Sequence, residues 1–188
     1  MPTGSTPDDR LRASRVDGSL PPTERVILVE YDPAWPRLYA CEEARIREAL
    51  GDTALQVEHT GSTSIPGLAA KPIVDIVLVV PNSADEPAYV SALEAAGYVL
   101  RIREPDWFEH RVLKGTDPKV NLHVFSPGCP EVDRMLRFRD HLRRDARDRD
   151  LYERTKRELA QRDWKYVQHY ADAKSDVVEQ ILERARAT

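Results

Sequence analysis

Sulfur and an excess of positive charge are both scarce in this chain, and each shortage closes off a class of function. There are two cysteines, Cys41 and Cys129, far apart and in no CxxC or Cys/His spacing. That excludes a disulfide framework or a cysteine-based zinc module and fits unpaired thiols in a reducing compartment. No stretch approaches the roughly 18 apolar residues of a membrane span, and the first residues contain no apolar signal core. A soluble, cytoplasmic protein with no membrane partner is expected. The formal net charge is −4, so the basic footprint of a nucleic-acid binder is missing. No internal repeat is present.

What is there fits one domain. The 188 residues are enough for a single sizeable core. Residues 1–23, rich in Pro, Gly, Ser, Asp and Arg, show no periodicity and read as a flexible arm; 24–188 read as one domain. A first strand is expected over Glu24–Tyr31, a helix over Pro36–Leu50 and a second strand over Ala54–His59. In that helix Leu38, Cys41, Ile46, Ala49 and Leu50 form the apolar face, and Glu42 and Glu43 face solvent. Ile73–Val80 is continuously apolar, as a strand buried on both faces should be. A helix over Asp85–Ala96 follows, then strands over Tyr98–Ile102, Glu109–Lys114 and Val120–Phe125. From about Glu131 the pattern is helical, in segments 131–146, 148–161 and 163–186. The fold class expected is α/β (α+β), a mixed central sheet with flanking helices and a C-terminal helical segment.

The stretch Glu58–Val80 carries the chemistry. A loop of small hydroxylated residues, Gly61-Ser62-Thr63-Ser64, feeds the apolar strand, with Lys71 between them and Asp75 at the strand's mouth. Gly61 lets a ligand approach the main chain, and the following peptide N–H groups can form an anion-binding nest. Ser62, Thr63 and Ser64 add hydroxyl donors, and Lys71 adds a charge suited to phosphate. Asp75 needs a cation, a hydrogen-bond partner or solvent, and Mg2+ bridging it to phosphate oxygens meets that need. A structural turn with an Asp75–Lys71 pair is the plain alternative. Arg111, Asn121 and His123 on the later strands are the candidate cleft partners, with His123 as metal ligand, general base or phosphate donor. On the tail, Arg139 or Arg143 can face the cleft and hold an anion, or form a solvated helix face with Asp140.

Gly61-Ser62, twelve residues, then Asp75 followed by apolar residues resembles the signature of the nucleotidyltransferase superfamily. That superfamily carries Asp-x-Asp on a strand, so that alternate side chains share metal ions. Here the second position is Val77. Longer strings resemble the GrpB family (UPF0157). They are Tyr31-Asp32-Pro33-x-Trp35; His59-x-Gly61-Ser62-Thr63-Ser64-Ile65-Pro66-Gly67-Leu68-x-Ala70-Lys71-Pro72-Ile73-x-Asp75; and Asn121-Leu122-His123-Val124-Phe125. Phe138-Arg139-Asp140-x-Leu142-Arg143, Tyr152 with Lys156, and Lys174 extend the match over about 26–184. The resemblance implies a nucleotidyltransferase-like fold. Some members of that family are fused to dephospho-coenzyme A kinase, and some carry an acidic residue where this chain has Val77.

Two functions follow as expectations. One is a nucleotidyltransferase-fold protein that binds a nucleotide or other phosphorylated small molecule with Mg2+ and transfers a nucleotidyl or phosphoryl group. In it Asp75, His123 and Arg111 act catalytically and Asp75 holds the metal. Gly61, Ser62, Thr63, Ser64, Lys71, Asn121 and Arg139 bind the ligand. The alternative is a catalytically degenerate ligand-binding or accessory module of the coenzyme A kinase-associated type, which Val77 favours.

Overall fold

A computed structural model describes residues 7–23 and 25–186. The remaining positions, among them residues 1–6 of the expected arm, Glu24 and the last two residues, lie outside the described part. Five strands form one sheet: β1 (Gln56–Thr60), β2 (Val74–Val79), β3 (Val99–Glu104), β4 (His110–Thr116) and β5 (Lys119–Phe125), in the order β1-β2-β5-β4-β3. Only the β2–β5 pair is parallel; the other three pairs are antiparallel. The sheet is therefore mixed, as expected.

Strand alternation divides the sheet into two unlike faces. Val57, Ile76, Leu78, Leu113, Leu122 and Val124 point to one side and pack with Ile46 and Leu50 of α2 (Trp35–Leu50) and Leu93 of α3 (Val90–Ala95). This is the main core. On the other face Val77, Val79 and Phe125 are covered by Val132 of α4 (Pro130–Arg144). Beyond that cover, the same face carries Asp75, Asn121, His123, Val112 and Lys114. α5 (Ala146–Ala160), α6 (Val167–Asp172) and α7 (Ser175–Arg186) complete this side. No helix among the described residues is long and apolar enough to cross a membrane.

Local details differ from the sequence reading for identifiable reasons. Residues 25–31 make a single bridge, Val29 with Ala70, rather than a full strand. The helix expected over Asp85–Ala96 is a 3-10 turn, Glu86–Ala88, followed by α3; the two are separated at Tyr89, whose φ of −145° leaves the helical region and whose hydroxyl donates to Ser83 O. The helix expected over 163–186 is broken before α6, where Tyr166 is extended and Val167 N–H bonds Pro22 O, and again between α6 and α7. On α2, Glu42 is buried and accepts a hydrogen bond from Tyr98 Oη, whereas Cys41 is exposed. A helix, α1 (Pro7–Ala13), forms where no periodicity pointed to one. Beyond it Arg15 bridges Ile102, Val16 N–H bonds Arg101 O, and Arg103 N–H bonds Ser14 O.

Candidate functional site

The glycine loop is held from below and above. Gly61 has φ +66°, and a Cβ placed on it would sit 2.3 Å from Asp75 Oδ2. Glycine is therefore needed twice, for the backbone angle and for the approach to the carboxylate. A 3-10 turn, Ser62–Ser64, follows. Ser64 Oγ donates to Gly61 O at 2.6 Å and closes it. Arg143 grips Ser64 O through Nε and Nη2 at 3.0 and 2.9 Å. Ile65 and Leu68 are buried with Leu142, Tyr152, Val177 and Ile181 of the tail helices. Burial of each such side chain contributes about 1.5–3 kcal/mol. The tail thus clamps the loop onto β2.

Between loop, sheet and tail lies a cavity of about 410 Å3. Asp75 lies on its lining, and Asn121 Nδ2 donates to Asp75 Oδ1 at 2.7 Å. His123 Nε2 stands 4.0 Å from the same oxygen. Burial acts to raise the Asp75 pKa, but His123, Asn121 and Lys71 outweigh it and hold the group below the ordinary carboxylate value. Four lysines, Lys71, Lys114, Lys156 and Lys174, line the same space. Lys156 is 2% exposed. Its ammonium donates to Ser62 Oγ at 3.1 Å and to Ala69 O. Burial, with Lys174 next, pulls its pKa down to about 7. Burial also lowers the Lys174 pKa, against the pull of Asp75. Lys71 and Lys174 lie 5.8 and 4.7 Å from the centre of the Tyr170 ring. The Tyr170 hydroxyl is buried and has no hydrogen-bond partner among the described residues.

Most of the residues singled out in the sequence meet here: Gly61, Ser62, Thr63, Lys71, Asp75, Asn121 and His123 all line the cavity. Three do not. Arg111 is paired in register with Val124, so it points to the opposite face of the sheet, where it binds Glu86 at 2.7 Å and Glu109 at 3.2 Å. Ser64 is turned away by its bond to Gly61 O. Arg139 is held by Glu58 at 2.8 Å, His59 O at 2.9 Å and Asp140 at 2.7 Å. Ser64, Arg139 and Arg143 line a separate cavity of about 440 Å3 on the far side of the loop. Thr63 Oγ1 is shared with His59 Nε2 at 3.1 Å. Burial pulls the His59 pKa down to about 4, so that ring is neutral at pH 7.

Sequence reasoning missed Lys114 and His110 on β4. Both alternating sets of that strand contain charged residues, so polarity could not say which set faces the cavity. It also gave Lys156 and Lys174 no site role. Lys156 lies on α5 and Lys174 in the turn between α6 and α7, both more than 80 residues beyond Asp75 in the sequence, and no local spacing reports such a distance. Among cavity side chains, Asp75 with His123 and Asn121 beside it could hold a divalent cation. Val77 is fully buried against α4 and offers no second carboxylate. Elsewhere His141, Asp145 and Asp148 bring ligand atoms within 4.8 Å of one another. Arg184 already binds Asp148 at 2.8 Å, and Asp145 caps α5 through Asp148 N–H. That cluster ties α4, α5 and α7 together.

A UPF0157 protein of Halalkalibacterium halodurans is 60% identical over 188 residues, covering 99% of this chain and 96% of its own. A dephospho-CoA kinase of Mycolicibacterium paratuberculosis is 32% identical over 163 residues, but that match covers only 40% of the kinase. The crystal structure of the conserved protein GrpB from Enterococcus faecalis superposes with a TM-score of 0.75 at 30% identity, covering 85% of this chain and 96% of that one. The family profile described as GrpB protein matches residues 25–184, and the chain belongs to the GrpB family.

Proposed function

We propose that this protein binds a nucleotide or other phosphorylated small molecule in the cavity at Asp75 and transfers its nucleotidyl or phosphoryl group. One observation carries the reading: among the described residues, four lysines line a single cavity in which Asp75 is the one carboxylate. Such a balance suits a polyanion better than a neutral or cationic ligand.

In this reading the lysines neutralise phosphate charge, Ser62 and Thr63 orient phosphate oxygens, and His123 holds or moves a proton at the reacting oxygen. A Mg2+ ion on Asp75 would supply charge stabilisation when bound. One carboxylate supports one cation, so the paired-metal arrangement is not part of this proposal. Calorimetry with nucleoside triphosphates, with and without Mg2+, is the test. Metal-dependent binding that disappears in Asp75→Asn is expected; absence of binding to any nucleotide under either condition would sink the reading.

Val77 in the core and Asn121, rather than a carboxylate, on β5 favour a second reading, a ligand-binding module without catalysis. The relatives named dephospho-CoA kinase suggest an accessory role of that kind. Binding would then be metal-independent and survive Asp75→Asn, and nucleotide turnover by the purified chain would exclude it.

A further inference from the structure

A second cavity, of about 640 Å3, opens beside the first. The two share Ile102, Val112, Lys114, His123 and Met135 as a common wall. Together they make one cleft with two lobes of different chemistry. The Asp75 lobe holds four lysines. Among the described residues the outer lobe adds none of its own and is lined instead by Leu11, Pro21, Pro22, Trp107 and Phe125. The charged groups that it does contain are already engaged. Arg15 Nε donates to Ser19 Oγ at 2.8 Å, Glu104 meets His110 at 2.7 Å, and Glu131 accepts from Arg134 at 2.9 Å. Two carboxylates among them make this lobe a poor place for a phosphate. What it offers a ligand is apolar and aromatic surface.

That surface is a run of rings. His110 lies nearly parallel to His123, at 7° and 5.3 Å between ring centres, and to Phe125, at 15° and 4.6 Å. Trp107 stands edge-on to His110 at 5.0 Å. The run starts at His123, which also lines the lysine lobe, and ends at Trp107, which is 41% exposed. The turn between β3 and β4 fixes the indole there. Trp107 N–H donates to Glu104 O, and Trp107 O accepts from His110 N–H, both at 3.1 Å. The next two residues, Phe108 and Glu109, have φ of +56° and +49°. Residues other than glycine rarely take such angles. They persist where the surroundings enforce them, and they cluster at ligand clamps and active sites. An exposed indole fixed beside a cavity is a surface on which a flat ring stacks well.

We infer that the outer lobe takes a flat heterocycle carried by the same ligand whose phosphates lie against the lysines, with Trp107 as its stacking partner. The ligand class is then a nucleoside phosphate rather than a sugar phosphate or an inorganic polyphosphate. This rests on the reading that the Asp75 cavity binds a phosphorylated compound, and it narrows which compound. Both lobes fall within the roughly 300–1,000 Å3 of small-molecule sites. The shared wall at Lys114 and His123 lets one molecule reach from one lobe to the other.

Titration calorimetry of the full chain with a purine nucleoside triphosphate and with inorganic tripolyphosphate, both under the same metal condition, separates the two lobes. The nucleotide is expected to bind about tenfold more tightly, the scale of one base–aromatic stack. Trp107→Ala should lose about that factor for the nucleotide and leave tripolyphosphate affinity unchanged. The retained tripolyphosphate site also shows that the variant folds. Trp107→Phe, which keeps a ring, should keep most of the preference. Equal affinity for the two probes in wild type, or an unchanged preference in Trp107→Ala, overturns the inference and leaves the phosphate reading standing. If neither probe binds, both fall. Adenosine binding as tightly as its triphosphate, and lost in Trp107→Ala, overturns the phosphate reading while upholding the heterocycle site.

Discussion

At the scale of single residues, the site depends on groups whose environment leaves little freedom. Gly61→Ala places a methyl group 2.3 Å from Asp75 Oδ2 at a φ of +66°. The backbone term alone is about 1–3 kcal/mol. Urea denaturation should show a loss of at least that size, together with displacement of the carboxylate and loss of ligand binding. Lys156 makes a second prediction. Its folded pKa of about 7 lies below the roughly 10.4 of an unfolded lysine. Between those values the unfolded chain binds more protons, so this residue makes stability rise with pH across that window. Below pH 7 the burial penalty is present in full. Lys156→Met is therefore expected to be more stable than wild type at pH 6, with the difference fading toward pH 10, as chemical denaturation at several pH values will show. Affinity for a phosphorylated ligand should move the opposite way, falling as pH rises through about 7 in wild type and losing that step in the variant.

Elements matter through what they hold in place. The tail helices clamp the glycine loop, and the cluster at Asp148 clamps the helices. Arg184, ahead of burial and His141, sets the balance that holds the Asp148 pKa below the usual carboxylate range. A carboxylate with a depressed folded pKa contributes stability that is present above its unfolded value, about 3.9, and lost as pH falls through the folded one. Asp148→Asn removes the charge that Arg184 and His141 bind, and the expected loss is about 1.5–3 kcal/mol at pH 7. The wild type and the variant should converge in acid, measured by thermal unfolding from pH 7 to pH 3. The strands and most helices were legible because apolar alternation and the Gly and Pro stops act locally, as with Gly51 after α2. The breaks at Tyr89 and before α6 were harder. The second depends on Val167 reaching Pro22 O, a contact that helical periodicity does not carry.

For the molecule as a whole, the segment 7–23 covers an edge. Its bonds to Arg101 and Arg103 occupy backbone groups of β3 that would otherwise be open, and an uncovered edge strand is a template for pairing with another chain. Deleting residues 1–23 should lower the melting temperature and produce concentration-dependent self-association in sedimentation experiments. A truncated chain that stays monomeric with unchanged stability would contradict that role. The same segment lines a cavity of about 640 Å3 through Leu11, Arg15 and Pro22, and that cavity shares His123 and Lys114 with the Asp75 site. The loss of edge and the loss of a wall are thus expected together.

The strand that carries Asp75, the glycine that lets the loop approach it, the mixed sheet and the family are all written locally in the chain. These are set by local rules: alternation, conformational freedom at glycine, and a long contiguous string of residue types. Which side of each strand meets the helices is settled by packing between distant segments. That choice sent Arg111 to the far face, drew Lys114 and His110 to the near one, and brought Lys156 and Lys174 across from the tail. The physical reason is register and packing. A strand with polar residues on both sides gains its orientation from whichever neighbour buries one of them, and that neighbour is distant in sequence.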